Sequence, residues 1–284
     1  MEQIKIKSKD TFVSIIEFGC ANPKALLIIA SATGVKQGYY HKFAQFIASH
    51  EIIVITFDYT GIGRSLNGPI KALRNNAQDW GQFDLDGVIN YAINRYPDLR
   101  KSIIGHSIGG QLIGLSKASL QLDKVILVAA QSGYWRFWRG FAKVKMWFNW
   151  YLLFPALINL FGFFPGKKLG VMENLPKEVT KQWSKWGRHK DYLLSEIPVE
   201  QTVYHKLSSD FTAYSIDDDR FAPKKAVDWM CDVYVNAKFK RIHLDPKDFN
   251  TNSIGHFGIF RERFKESLWI FLLDEVMAIT EASK

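Results

Sequence analysis

The chain has 284 residues, with 37 lysines and arginines against 28 acids, for a formal net charge of +9. An apolar fraction of 47% and a charged fraction of 23% exclude wholesale disorder and collagen-like structure. Two cysteines, Cys20 and Cys231, with no CxxC pair, argue against a disulfide scaffold and a thiolate zinc site. The length suits one large domain or a domain with a substantial insert. The N-terminus alternates polar and apolar residues and lacks the apolar stretch of a signal peptide, so a cytoplasmic location is expected. Net charge alone does not choose between nucleic acid, an anionic membrane surface and simple solubility.

The first 130 residues predict alternating strands and helices. Residues 4–7 and 12–18 have the look of short strands. Residues 25–30 and 52–57 are continuous apolar runs of strand length, as expected where both faces of a sheet are covered. Helical spacing occurs at Phe43, Phe46 and Ile47, within 40–49, and again over 84–96 at Val88, Ile89, Ala92 and Ile93. A short strand over 102–105 is followed by a glycine-rich turn, a helix to about residue 119, and a buried strand over 123–130. The pattern stops near Gln131 and resumes with a strand over 211–216, a helix over 224–235, a strand over 241–244 and a closing helix over 266–279. This predicts an α/β core of residues 1–130 and 208–284, with a parallel sheet and helices on both faces, interrupted after its sixth strand by a helical insert over 131–207.

Gly105, His106, Ser107, Ile108 and Gly109 form a G-x-S-x-G pentapeptide between an apolar strand and a helix. Small residues flanking the serine let the backbone turn sharply and lift Oγ above the sheet. The serine then lies at a helix N-terminus, where free N–H groups favour a developing oxyanion. A serine hydroxyl needs a base, and that base needs a carboxylate to orient it. His256 has the best placement of the seven histidines, in a loop after the last strand. His41, His50, His189 and His205 fall in apparent helices or the insert, His243 lies within a strand, and His106, the elbow's own second position, is read as packing or as support behind the reacting groups. The acid should leave the end of the preceding strand, where Asp217, Asp218 and Asp219 stand in succession. The order serine, aspartate, histidine is that of the α/β-hydrolases.

The chain resembles an α/β-hydrolase over nearly all its length. Residues 58–65, Asp-Tyr-Thr-Gly-Ile-Gly-Arg-Ser, resemble that family's turn after the fourth strand. More narrowly, the segments 133–136, 164–167, 254–258 and 260–261 resemble a bacterial branch of predicted serine hydrolases near the serine-aminopeptidase-like and monoacylglycerol-lipase-like members. The resemblance implies Asp219 as the acid, because the family's acid commonly stands four residues before a proline, here Pro223. It also implies an oxyanion hole from the N–H groups of Ile108 and of a residue after the third strand. Many relatives carry His-Gly there; this chain has Ser31, Ala32, Thr33 and Gly34, and Thr33 is the expected donor.

Residues 131–190 hold 15 of the 41 aromatics and eleven basic side chains against two acids. The remaining 224 residues are formally neutral, so the charge excess lies entirely in the insert. No charged side chain occurs from Met146 to Gly166, a run of 21. Asn149, Asn159 and Pro155 argue against a transmembrane helix there. The insert is expected to cap the site, with Trp135, Trp138, Trp147, Tyr151 and Phe154 lining a substrate pocket. Its basic, aromatic character also fits contact with an anionic membrane surface. No nucleic-acid-binding motif accompanies the charge. These features together predict hydrolysis of a small ester with an apolar group, with no metal or cofactor. Acyl transfer or amide cleavage by the same triad is the alternative, and a non-catalytic binding role comes after those.

Overall fold

The two continuous apolar runs become the interior of one sheet. In the computed structural model, which describes residues 2–281, the strands are β1 (Glu2–Ser8), β2 (Thr11–Phe18), β3 (Ala25–Ala30), β4 (Ile52–Phe57), β5 (Arg100–His106) and β6 (Lys124–Val128). Two-residue strands β7 (Phe163–Phe164) and β8 (Leu175–Pro176) follow, then β9 (Asp210–Ile216) and β10 (Lys238–Leu244). Eight of them pair in the order β1-β2-β4-β3-β5-β6-β9-β10; β2 runs antiparallel to both its neighbours, β1 and β4, and every other pair is parallel. Every residue of β3 and β4 is buried, which is why neither shows polar alternation.

The helices are α1 (His41–Ala48), α2 (Ala77–Asp79), α3 (Asp86–Arg95), α4 (Ile108–Gln111), α5 (Gly140–Phe148), α6 (Phe154–Phe161), α7 (Lys177–Arg188), α8 (Lys224–Val233), α9 (Gly255–Gly258) and α10 (Leu268–Glu281). A π-helical segment, Trp80–Leu85, joins α2 to α3, so this helix begins well before the expected residue 84. Its start is a capping box in which Asn76 and Asp79 each bind the other's backbone N–H. The helix expected to run from the elbow to residue 119 stops at Gln111. Two 3-10 turns replace it, Ile113–Leu115 and Lys117–Gln121. Three glycines, at 109, 110 and 114, weaken it, and a Cβ on Gly114 would collide with the Tyr204 ring. The Asp86 carboxylate meanwhile draws in the Ser116 hydroxyl and the Ala118 N–H, both at 2.8 Å. The insert, expected to lack strands, contains the small β7–β8 pair.

Helix α10 is fastened to the sheet by one carboxylate. Glu275 accepts from the Thr212 hydroxyl (2.7 Å) and from the ammonium groups of Lys124 and Lys240 (both 2.8 Å). Burial alone would raise its pKa, but these donors outweigh that and hold it down at about 2. A carboxyl depressed on folding stabilises above its unfolded pKa and loses that contribution as pH falls through the folded one. The contribution should be about 3 kcal/mol at neutral pH. Glu275→Gln is therefore expected to unfold at lower temperature at neutral pH. Its difference from wild type should shrink as pH drops from 4.5 towards 2, in thermal melts followed by circular dichroism.

The parallel register brings Ala30 beside Gly105, and His106 beside Val128, which itself pairs with Tyr214. The loops leaving β3, β5, β6 and β9 thus open from one edge of the sheet, outside the carboxyl ends of the strands.

Candidate active site

Ser107 sits at φ 54°, ψ −120°, a conformation that non-glycine residues rarely adopt. The neighbouring glycines are what allow it. A Cβ on Gly105 would lie 2.4 Å from the Gly110 Cα, and one on Gly109 would lie 2.2 Å from the Ala30 carbonyl oxygen. The turn therefore closes only with hydrogen at these positions. It places the Ser107 side chain between β5 and α4 at the sheet edge.

Ser107, Asp219 and His256 are each 6% exposed. The three adjacent aspartates divide their work. Asp219 Oδ2 meets His256 Nδ1 at 2.7 Å, and its Oδ1 accepts the N–H groups of Phe221 (2.7 Å) and Ala222 (3.0 Å). Facing a carboxylate, Nδ1 carries the ring proton, which leaves Nε2 as the bare nitrogen. Asp218 instead holds the loop that carries His256. It accepts from the Ser253 hydroxyl (2.6 Å) and from the N–H groups of Gly255 (2.9 Å) and Ile254 (3.2 Å). Partial burial opposes its charge, yet these donors keep its pKa below the usual value. Asp217 points to His243, at 3.5 Å. Gly255, at φ 64°, makes the turn into α9.

His106 is fully buried and links three loops. Its Nε2 donates to the His256 carbonyl (2.9 Å), while Nδ1 accepts from the Tyr40 hydroxyl (2.8 Å). That hydroxyl in turn accepts the Ala32 N–H (3.0 Å). Desolvation, reinforced by His256, holds the His106 pKa well below its usual value, so the ring is neutral. Of the two readings the sequence allowed, packing or support behind the reacting groups, these bonds favour support: His106 fixes the elbow to the histidine loop and to the loop after β3.

Among the described residues, neither the Ile108 nor the Thr33 N–H has an acceptor, and the buried Thr33 hydroxyl is unpartnered. The Ser107 hydroxyl donates to Gln131 Oε1 at 3.4 Å rather than to His256. Gln131 also accepts from the Gln111 amide (3.3 Å) and donates to the Phe221 carbonyl (3.1 Å). Gln111 is reached by the Tyr192 hydroxyl (3.0 Å), itself bound by the Trp183 indole (2.9 Å). Sequence reasoning missed this chain. Gln131 was visible only as the first residue past the strand expected over 123–130, three residues beyond the end of β6.

The insert lies against these loops. The Glu173 N–H donates to the Gly34 carbonyl (2.9 Å), Met172 packs where Gly34 lacks a side chain, and the Trp138 indole donates to the Arg220 carbonyl (2.9 Å). The five residues grouped as a pocket lining have separate surroundings. Trp138 is buried beside the Asp219 loop. Trp135 lies under the charges of Arg136 (5.0 Å) and Lys143 (5.4 Å). Phe154 packs among Trp150, Phe164 and Trp183 in the insert's own interior. Trp147 and Tyr151 stack on each other, 5.4 Å apart, and are exposed.

A mostly parallel eight-stranded sheet with a strained serine elbow at its carboxyl edge is the architecture of the α/β-hydrolase fold, and this chain has that fold. The family described as serine aminopeptidase, S33, matches residues 21–159. Among curated proteins, the monoacylglycerol lipase of Mycolicibacterium smegmatis is 28% identical over 94 residues, 32% of each chain. The monoglyceride lipase of Rattus norvegicus is 30% identical over 98 residues, 34% of this chain and 31% of its own. These alignments span about a third of the relatives' length. Among solved structures, a thermostable carboxyl esterase from Bacillus coagulans superposes with a TM-score of 0.64 at 13% identity, covering 98% of each chain. Mouse α/β hydrolase domain-containing protein 10 gives 0.60 at 15%, covering all of both. Over that third of its length the chain is similar to monoacylglycerol lipases.

Proposed function

We propose that the protein is a serine hydrolase that cleaves a small carboxylic ester with an apolar group through an acyl-enzyme on Ser107. The observation that carries this reading is the Asp219–His256 pair at 2.7 Å beside a serine held in a nucleophile-elbow conformation. Ser107 Oγ bonds to the ester carbonyl carbon while its proton passes to His256 Nε2. Asp219 orients the ring and stabilises the resulting imidazolium. The carbonyl oxygen, now negative, takes the free N–H groups of Ile108 and Thr33, each donor of this kind being worth about 2.7–4 kcal/mol in the barrier. His256 then returns the proton to the departing alkoxide, and water repeats the sequence in reverse to free the acid. Acyl transfer to an alcohol would use the same groups and differ only in the acceptor. Residues 131–207 serve as the cap, and contact with an anionic membrane is assigned to them.

The test is turnover of a short-chain acyl ester together with fluorophosphonate labelling of wild type and Ser107→Ala. Equal labelling of the two proteins would sink the reading. Attack requires Ser107 to leave Gln131 and turn to His256, a tightening that catalytic hydrogen bonds often undergo once substrate binds. Gln131→Ala is accordingly expected to keep Ser107 labelling. It leaves the Gln111 amide and the Phe221 carbonyl without their partner, which should cost about 1–3 kcal/mol of stability in denaturant titration.

A further inference from the structure

Helices α5 and α6, joined by the π-helical segment Asn149–Leu153, run on without a break from Gly140 to Phe161, a rod of about 30 Å. One side of the rod builds the insert's interior with Trp150, Phe154 and Ile158. The other side is apolar too. Phe141 (83% exposed), Val144 (58%), Phe148 and Leu152 follow one another at helical spacings of three and four, and Leu160 (76%) stands near the far end. An exposed apolar stripe of this length on the side of a helix already buried on its other side calls for a covering partner.

Charge selects the partner. Residues 131–172 contain Arg136, Arg139, Lys143, Lys145, Lys167 and Lys168 and no acid at all. Arg139 and Lys145 stand exposed at the start of the rod, and Lys168 stands exposed just past its end. A second copy paired face to face would set these cations against an identical set. A nucleic acid would satisfy the cations and leave the apolar stripe in water. Among the described residues no helix is long and apolar enough to cross a membrane.

We propose that this face docks in the plane of a bilayer whose surface carries anionic lipid headgroups, with Phe141, Val144, Phe148 and Leu152 entering the acyl boundary and the cations meeting phosphate. The docking rests on the ester-hydrolase reading for its use, which is delivery of an apolar ester to a buried Ser107. Its occurrence needs no turnover.

The experiment is flotation of the full chain with vesicles of phosphatidylcholine, alone or mixed with phosphatidylglycerol. Wild type should bind the anionic vesicles, with affinity falling as salt rises. Phe141→Ser/Phe148→Ser/Leu152→Ser and Arg139→Gln/Lys145→Gln/Lys168→Gln should each lose about tenfold or more in affinity. Both should retain turnover of a water-soluble ester and labelling of Ser107. Ser107→Ala should bind as wild type does. Absence of binding to anionic vesicles overturns the proposal, as does undiminished binding by the triple serine variant. So does a dimer in size-exclusion chromatography that the triple serine variant dissolves while vesicles go unbound. Vesicle binding without Ser107 labelling would instead overturn the hydrolase reading and leave the docking in place.

Discussion

Ser107→Ala is expected to lower kcat for a short acyl ester by about 10⁴–10⁶-fold, with little change in folding, because the nucleophile is the one group whose loss leaves no acyl-enzyme route. The packing around position 107 predicts the second half of that expectation. The backbone strain at φ 54° is imposed by the close approach of Gly105 to Gly110 and of Gly109 to Ala30, and alanine inherits it unchanged. Thermal melts should coincide for the two proteins while fluorophosphonate labelling disappears from the variant. The residual rate would report what the Ile108 and Thr33 donors and substrate binding achieve without covalent chemistry.

Asp219→Asn should cost about 10⁴-fold in kcat for a different reason. Oδ1 of residue 219 accepts the Phe221 and Ala222 N–H groups, so an asparagine would keep its carbonyl there and present its amide to His256. The imidazole Nδ1 would then have to accept rather than donate, moving the ring proton to Nε2, where a base is needed. The variant should fold, should label slowly with fluorophosphonate, and should recover rate as pH rises and hydroxide replaces the lost base. A variant with near wild-type kcat would remove Asp219 from the mechanism.

Much of the sheet was legible because burial on both faces leaves a mark that local context does not erase. The runs over 25–30 and 52–57 coincide with β3 and β4 to the residue. The segment after the elbow was less legible. Whether the chain continues as helix beyond Gln111 depends on Tyr204, some ninety positions away, and on Asp86, neither of which leaves a periodic trace. The same holds at the site. Ser107 and His256 could be named from motif and chain order, whereas order left three aspartates open and only the family resemblance singled out Asp219, whose carboxylate reaches the His256 ring. Gln131, Tyr40 and Tyr192 could not be named, since a buried polar chain is defined by its partners rather than by a motif. Nor could the insert's aromatics be sorted from spacing, because the rod is apolar on both sides and Phe154 and Trp147 look alike in sequence.

The bond from the Glu173 N–H to the Gly34 carbonyl has a bearing on timing. It joins the insert to the residue next to Thr33, so a displacement of the insert that broke it would also release the backbone carrying the proposed Thr33 donor. Under the proposed mechanism, entry and chemical competence would then oppose each other, because an uncovered site would lack a rigid anchor for the oxyanion. Bulk water would reach Ser107 mainly when attack is least supported. On a lipid surface the uncovered interval would be spent facing acyl chains instead of solvent.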